Sequence, residues 1–371
     1  PTPGTGAPAT NPVQLVGVHE PSSSACAAVG RVARHTVARR AAVRRARGST
    51  LPLSHGSHEG GTRQAEEILS GVGWHARARA EGPRGRSCHG ERGARGGRWA
   101  MQTRVAPTPS GFLHVGNAAN ALVTSAWAMD DGLELRLRID DLDDARARPE
   151  YIEDILKLLD WLGIRWTHGP RTVVECQEAR AARSTRAWDV LEQALQAGMP
   201  AYACNCSRRT LAATPTHGCP GDCRAADRPL DVGESALRIH VPPGTTIDVQ
   251  GEAVELDLVL GDFIVWRRDD RPAYQWFSVV EDTDHGTTHI LRGEDLRVST
   301  AAQLYLAGFL PDAGFLEADI RHHPLVLDDA GLKLSKSQLR RASGLPRSPQ
   351  TREAIRRWAV ELGGAVGVKV P

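Results

Sequence analysis

Residues 103–162 alternate between two hydrophobic periods, and this alternation leaves few folds open to the chain. Runs at 103–106 and 133–139 have the every-second-residue apolar spacing of β-strands. The segments 118–129 and 149–162 instead place apolar residues three or four positions apart, as amphipathic helices do. The order strand, helix, strand, helix is that of a βαβ unit. It predicts an α/β fold built on a parallel sheet.

Two polar residues follow the predicted strands closely. In open parallel sheets, ligands bind beyond the carboxyl ends of the strands. His114 lies in the loop after the first strand, just before Asn117, which we expect to cap the first helix. Asp140 follows the second strand, so the two side chains could face one crevice. Each taken alone is more typical of a loop histidine or a solvated acidic turn. The glycine-rich fingerprints G-x-G-x-x-G and G-x-x-x-x-G-K-[ST] are absent.

Lysine is rare in this chain, and its placement is informative. Only four lysines occur, and two of them, Lys333 and Lys336, lie in the segment Lys-Leu-Ser-Lys-Ser at 333–337. A compact, mobile ammonium can follow a moving phosphate, whereas the flat fork of arginine favours fixed bidentate partners. The segment therefore indicates phosphate binding, with a solvated basic turn as the alternative.

Four of the seven cysteines crowd into one short segment: Cys204, Cys206, Cys219 and Cys223. Four thiolates at this spacing, among loop-forming Pro and Gly, are typical of a tetrahedral zinc site. Because four protein ligands leave no open position, we expect a structural Zn2+. Free or redox-active thiols are the alternative.

Residues 1–100 differ in composition from the rest of the chain. They contain 15 Arg, no Lys, no Asp and 6 Glu, with abundant Gly, Ala, Ser and Pro. Such a segment cannot bury enough apolar surface to offset chain entropy, so we expect it to be disordered. Because the chain starts at Pro1 and Met101 precedes the first patterned strand, we expect an upstream extension without chemistry. An RNA-binding arm or a transit peptide are the alternatives.

The composition also bears on location. With 41% hydrophobic residues in 371, the chain can bury a sizeable core. No run approaches eighteen apolar residues, and no secretory signal is present, so we expect no membrane contact and a cytoplasmic location.

One run of acidic residues and one pair of histidines could be interpreted as metal sites. The run Glu281, Asp282 and Asp284 is more typical of a solvated turn than of a metal site. His322 and His323 precede a strand expected at 325–327, and adjacent histidines in that position more often pack or cap than bind metal.

The segment 104–117, Arg-Val-Ala-Pro-Thr-Pro-Ser-Gly-Phe-Leu-His-Val-Gly-Asn, and the segment 333–337 together resemble the two signatures of class I aminoacyl-tRNA synthetases, in particular of their glutamyl branch. Residues 138–143 and 291–296 resemble internal blocks of that branch. The resemblance implies a Rossmann-type parallel sheet with a zinc-bearing insertion. The implied domain scheme is a disordered basic extension at 1–100, the first half of the catalytic domain at 101–199, the insertion with its zinc site (204–223) at 200–260, the second half with the lysine loop at 261–345, and a C-terminal helix and tail at 346–371.

About thirty residues follow the lysine loop, whereas full glutamyl-tRNA synthetases continue into a helical anticodon-binding domain. The chain therefore resembles the short-form glutamyl-Q tRNA(Asp) synthetase family. This resemblance implies ATP-dependent activation of L-glutamate to glutamyl-adenylate and transfer to queuosine at the wobble position of tRNA(Asp). A related ligase with another acceptor, a tRNA 3′ end or a non-tRNA amine, remains open, as does a non-catalytic RNA-binding relative. We expect a monomer.

The resemblance also implies roles for individual residues. ATP, accompanied by Mg2+, would be bound by His114, Gly116, Asn117, Lys333, Ser335 and Lys336, of which His114, Lys333 and Lys336 would act in catalysis. The glutamate side chain would be bound by Arg104, Tyr274 and Arg292, and its ammonium by Thr108 and Asp140. The family usually has Ser in place of Thr108, Glu in place of Asp140 and, in its short forms, a tyrosine ligand in place of Cys219.

Overall fold

The computed structural model describes residues 101–143, 146–214, 218–226, 228–231, 233–312, 314–326 and 343–371. The expectations for residues 1–100 and for Lys333, Ser335 and Lys336 therefore lie outside the described residues.

The described elements alternate between helix and strand in the first and last thirds of this part of the chain. In chain order they are β1 (Gln102–Val105), α1 (Val115–Asp130), β2 (Glu134–Leu137), α2 (Pro149–Trp161), α3 (Val173–Gln196), β3 (Ala201–Cys204), α4 (Arg208–Ala212), α5 (Asp222–Ala225), β4 (Ala236–Ile239), β5 (Thr246–Val249), β6 (Glu252–Glu255), α6 (Leu256–Val259), β7 (Phe263–Trp266), α7 (Tyr274–Asp284), β8 (His289–Gly293), α8 (Arg297–Ala307), β9 (Asp319–His323) and α9 (Pro349–Ala365), with 3-10 turns at Glu294–Leu296 and Gly314–Glu317.

A four-stranded sheet in the order β2-β1-β8-β9 has all of its pairings parallel. The predicted βαβ unit and α/β class are confirmed. After β1 the chain moves to β2 on one side, and it later returns to β8 on the other side of β1. The sheet thus has a topological switch point between β1 and β8, where parallel α/β sheets open a crevice at their carboxyl edge.

Between β2 and β8, the strands β3, β4 and β7 form an antiparallel sheet, and β5 pairs with β6 in a hairpin. Two apolar cores support these layers. One gathers α1, α2, α9 and the strands β1 and β2, and the other joins α3, α7 and α8 to the antiparallel strands. Both cores are filled by large side chains, with Trp127 in the first and Trp266 and Trp276 in the second, each at most 2% exposed. Within the described ranges, no helix has the length and apolar character needed to cross a membrane.

Three local expectations are wrong. Helix α1 begins at Val115 with His114, not Asn117, as its N-cap, because the imidazole accepts the N–H of Asn117.

The acidic residues at 281, 282 and 284 lie in helix α7 rather than in a solvated turn, since distant arginines pair with them. The last strand is β9, which contains the two histidines, while residues 324–326 form no strand and residue 327 lies outside the described ranges.

Candidate active site

A cavity of about 410 Å3 opens at the carboxyl edge of the parallel sheet, at the switch point between β1 and β8. It lies beside the start of α1, the end of β2 and the start of α7. All eight of the nucleotide- and glutamate-site residues that fall within the described ranges line it: Arg104, Thr108, His114, Gly116, Asn117, Asp140, Tyr274 and Arg292. The topology of the sheet thus brings together residues from positions 104 to 292.

The start of α1 is closed by a reciprocal cap. The backbone N–H of Asn117 donates to Nδ1 of His114, and the N–H of His114 donates to Oδ1 of Asn117, each at 3.3 Å. Because Nδ1 accepts, a neutral His114 carries its proton on Nε2, which makes Nε2 a donor. A Cβ added to Gly116 would come within 3.1 Å of the imidazole and 3.2 Å of Val326 Cβ, so the absence of a side chain at Gly116 leaves room for the ring. A helix N-terminus with such a donor suits an anion.

A buried arginine holds the carboxylate at the end of β2. Arg138 is 4% exposed and donates through Nε to Oδ1 of Asp140 at 2.8 Å and through Nη2 to Oδ2 at 3.3 Å. Its Nη1 donates to Asp282 at 2.8 Å. Burial lowers the pKa of Arg138, but the carboxylates of Asp140, Asp282 and Glu281 more than offset this and raise it above its ordinary value. Asp140 is therefore an oriented carboxylate on the cavity wall.

Arg292 forms the cationic part of the same wall. It is 4% exposed, and its Nη1 donates to Thr300 Oγ1 at 3.1 Å and to Gln303 Oε1 at 2.6 Å. Its Nε and Nη2 have no hydrogen-bond partner among the described residues. Burial, with Arg104 nearby, lowers the pKa of Arg292 to about 10 despite the opposing influence of Tyr274. A buried guanidinium with two unsatisfied N–H groups at a cavity is suited to bind a carboxylate.

Adjacent carboxylates at the end of β2 face different surroundings. The side chain of Asp141 is fully buried and accepts from Arg180 at 2.9 Å and from Arg183 at 3.1 Å. Burial raises the pKa of Asp141 above its ordinary value, although the two arginines oppose this. Arg183 also donates to Glu281 at 2.9 Å, which ties β2, α3 and α7 together behind the cavity.

Three further side chains line this wall to which the sequence analysis gave no role in binding: Arg138, Asn120 and His323. Nδ1 of His323 contacts the carbonyl oxygen of Pro324 at 2.7 Å, so it must donate there, and Nε2 accepts from Asn120 at 2.8 Å. Burial lowers the pKa of His323, which favours the neutral ring. The alternation of apolar and polar residues in this strand assigns Arg138 to the solvated face. Periodicity alone therefore could not reveal that its side chain is buried at the cavity.

The four clustered cysteines lie where β3 meets α5. Their sulfur atoms all lie within 4.8 Å of one another, with Cys206 Sγ 3.8 Å from Cys219 Sγ and 3.6 Å from Cys223 Sγ. A tetrahedron of about 2.3 Å Zn–S bonds has edges of about 3.8 Å. Burial raises the pKa of the Cys204 thiol, whereas the Cys219 pKa is lowered because backbone N–H groups of Gly221 and Cys223 outweigh burial. The donor set and its spacing thus fit a zinc ion, which would displace the thiol protons.

Comparison with known proteins is consistent with this geometry. Residues 100–364 match the family of class I tRNA synthetases (E and Q), catalytic domain. Glutamate–tRNA ligase 2 of Nitrosococcus oceani is 33% identical over 289 residues, which are 71% of this chain, and the chain spans 59% of the length of that relative. The glutamyl-Q tRNA(Asp) synthetase of Pseudomonas fluorescens is 39% identical over 63% of this chain and 75% of its own length. That of Rhodobacter capsulatus is 34% identical over 65% of this chain and 93% of its own length.

A solved structure gives the same result for the fold. The crystal structure of the glutamate-tRNA synthetase from Elizabethkingia anophelis superposes with a TM-score of 0.51, at 22% identity, over 64% of this chain and 53% of that chain. On the basis of its sheet topology and of the match over residues 100–364, the chain belongs to the class I tRNA synthetases (E and Q). The matched region is their catalytic domain.

Proposed function

We propose that the chain is a ligase that activates L-glutamate with ATP to glutamyl-adenylate and transfers the glutamyl group to queuosine at the wobble position of tRNA(Asp). The observation that carries the proposal is that one cavity has an oriented carboxylate, Asp140, at one part of its wall and, at another, the buried guanidinium of Arg292, whose Nε and Nη2 have no hydrogen-bond partner among the described residues. A free amino acid with a side-chain carboxylate has the complementary charges.

In this proposal the amino acid lies across the cavity. Its side-chain carboxylate would accept hydrogen bonds from Arg292, Arg104 and the Tyr274 hydroxyl, and its ammonium would donate to Asp140 and Thr108. Charge-assisted bonds of this kind are about twice as strong as neutral ones. Asp140 is one methylene shorter than the glutamate usual in the family, and Arg138 fixes where its carboxylate lies.

The α-carboxylate would attack the α-phosphate of ATP and release pyrophosphate. Negative charge builds on phosphate oxygens in such a step, so positioned donors matter more than a protein nucleophile. His114, with Nε2–H as donor, would contact these oxygens at the positive end of α1, next to Gly116 and Asn117. Lys333, Ser335 and Lys336 lie outside the described residues, and we assign them to the triphosphate from the family resemblance. Mg2+ would enter with ATP.

In the second step, a hydroxyl of the acceptor would attack the carbonyl carbon of the adenylate, form an ester and release AMP. Relatives named glutamyl-Q tRNA(Asp) synthetases, aligned over 75% and 93% of their length, favour queuosine as the acceptor. The similarity to a glutamate–tRNA ligase supports a second candidate, the 3′ end of tRNA.

The four-cysteine cluster would hold a structural Zn2+. When bound, the ion would cross-link a short, loop-rich segment. It would supply no chemistry at the cavity, since four thiolates would fill its coordination shell.

Two assays test the proposal. Glutamate-dependent exchange between ATP and pyrophosphate, measured with and without tRNA, detects the adenylate, and no exchange with any amino acid would refute the ligase assignment. Charging of tRNA(Asp) transcripts with and without queuosine then identifies the acceptor. A label that is incorporated into tRNA lacking its terminal adenosine must be linked to the wobble base, whereas a label that requires this adenosine shows transfer to the 3′ end.

A further inference from the structure

Asp282 lies behind the charged wall of the cavity and does not line it. It is 1% exposed, in the third turn of α7. Its Oδ1 accepts from Nε of Arg104 at 3.0 Å and from Nη1 of Arg138 at 2.8 Å. One oxygen atom therefore anchors two arginines, one within β1 and one directly after the end of β2.

The two arginines belong to parts of the cavity wall that differ in charge. Arg138 fixes Asp140, the carboxylate of the wall, through two hydrogen bonds. Arg104 lines the wall together with Arg292, the cationic part. Because both arginines bind the same oxygen of Asp282, this oxygen links the anionic part of the wall to the cationic part and restrains the separation between them.

The charge of Asp282 is as important as its position. Burial raises its pKa, but Arg104, Arg138 and Arg292 outweigh burial and hold the pKa below its ordinary value, so the group is an anion. Its second oxygen, Oδ2, has no hydrogen-bond partner among the described residues, so both arginines bind Oδ1. A neutral amide here would weaken both bonds at once.

We propose that Asp282 is a positioning residue that fixes the distance between Asp140 and the carboxylate-binding arginines, and thereby selects glutamate over the shorter aspartate. The inference rests on the proposed function. Aspartate carries the same charges as glutamate, and its two ends lie closer together by one methylene, about 1.3–1.5 Å. A rigid spacing is therefore what distinguishes the two amino acids, since charge cannot.

The helix offers a matched control. Asp284 lies two residues further along α7, and its carboxylate binds Arg186 on the surface at 2.6 and 2.7 Å, outside the cavity. Ser278, fully buried and also absent from the cavity wall, offers a milder change, because its Oγ accepts only one bond from Arg138, at 3.1 Å.

The experiment measures ATP and pyrophosphate exchange of the full chain with glutamate and with aspartate, for the wild type, Asp282→Asn, Ser278→Ala and Asp284→Asn. For Asp282→Asn we expect kcat/KM for glutamate to fall about 10- to 100-fold, the glutamate-to-aspartate ratio of kcat/KM to fall at least about 10-fold, and KM for ATP to stay within about twofold. Ser278→Ala should lower the ratio by less, and Asp284→Asn should match the wild type.

An unchanged ratio in Asp282→Asn, whatever the absolute loss, would overturn the inference, because a purely structural carboxylate affects both amino acids alike. If circular dichroism shows that Asp282→Asn is unfolded, Ser278→Ala decides by the same ratio. A wild type that shows no exchange with glutamate overturns the proposed function, and this inference with it, whereas an active wild type with an insensitive ratio overturns the inference alone.

Discussion

His114 and Asn117 exchange two hydrogen bonds of 3.3 Å across the first turn of α1, so the histidine both caps a helix and faces the cavity. These two functions can be separated by substitution. His114→Ala should lower the free energy of unfolding by about 1 kcal/mol and the rate of adenylate formation by about 100-fold or more. His114→Asn restores a capping oxygen but not the Nε2 donor.

We therefore expect His114→Asn to recover stability in thermal unfolding and to stay slow in pre-steady-state adenylate formation. Recovery of the rate together with the stability would show that His114 acts only as a cap.

Arg292 should control affinity for glutamate. Arg292→Lys keeps a positive charge but loses the planar fork, so we expect KM for glutamate to rise about 10- to 100-fold, while KM for ATP stays nearly unchanged. The control is Arg297→Gln, five residues further on, whose guanidinium binds Glu294 and does not line the cavity. Parallel rises in both KM values for Arg292→Lys would contradict a specific contact with the amino acid.

The cysteine cluster should bind one zinc ion per chain. Elemental analysis of protein purified without added metal should give about one equivalent, and Cys204→Ser should lose it and unfold at a lower temperature. Cys176 provides the control, because it is a buried cysteine on α3 outside the cluster. Cys176→Ala should retain the metal. Full zinc content in Cys204→Ser would argue against a four-thiolate site.

Two histidines should make stability depend on pH. Burial, aided by nearby arginines, lowers the pKa of His322 and that of His285 to about 4 from an ordinary value of 6.5. Between pH 6.5 and 4 the unfolded chain binds protons that the folded chain does not, so the free energy of unfolding should fall as the solution is acidified through this window.

Denaturant titrations at several pH values measure this slope. His322→Gln, which removes a titrating ring but keeps a polar side chain near Thr300 and Gln250, should flatten it, and adding His285→Gln should flatten it further. An identical slope in the double variant would show that other groups cause the acid sensitivity.

Local periodicity in the sequence was sufficient to predict the βαβ unit, the start of α2 at Pro149 and the α/β class, because each depends on residues close in the chain. The charged wall behind the cavity was not predictable in this way. Arg138 reaches Asp282 across 144 positions, and Arg104 reaches it across 178. An acidic run such as 281–284 looks solvated until those distant partners are known.

The cap at His114 shows a second limit. Asparagine is a common capping residue, so Asn117 was the natural choice from sequence. In the structure its side chain fills the other half of the box, at the third helical position, and the helix begins three residues earlier than expected. The roles of the cavity residues remain predictions, although the sheet brings those within the described ranges to one wall.

The different main partners of Asp140 and Asp141, Arg138 for the first and the arginines of α3 for the second, restrict the number of residues that can follow β2. Deleting one residue after Arg138 would place Asp141 where Asp140 bonds Arg138, and inserting one would place Asp140 where Asp141 meets the arginines of α3. A change in the number of residues here would therefore disturb both contacts at once, whereas a single substitution would disturb only one of them.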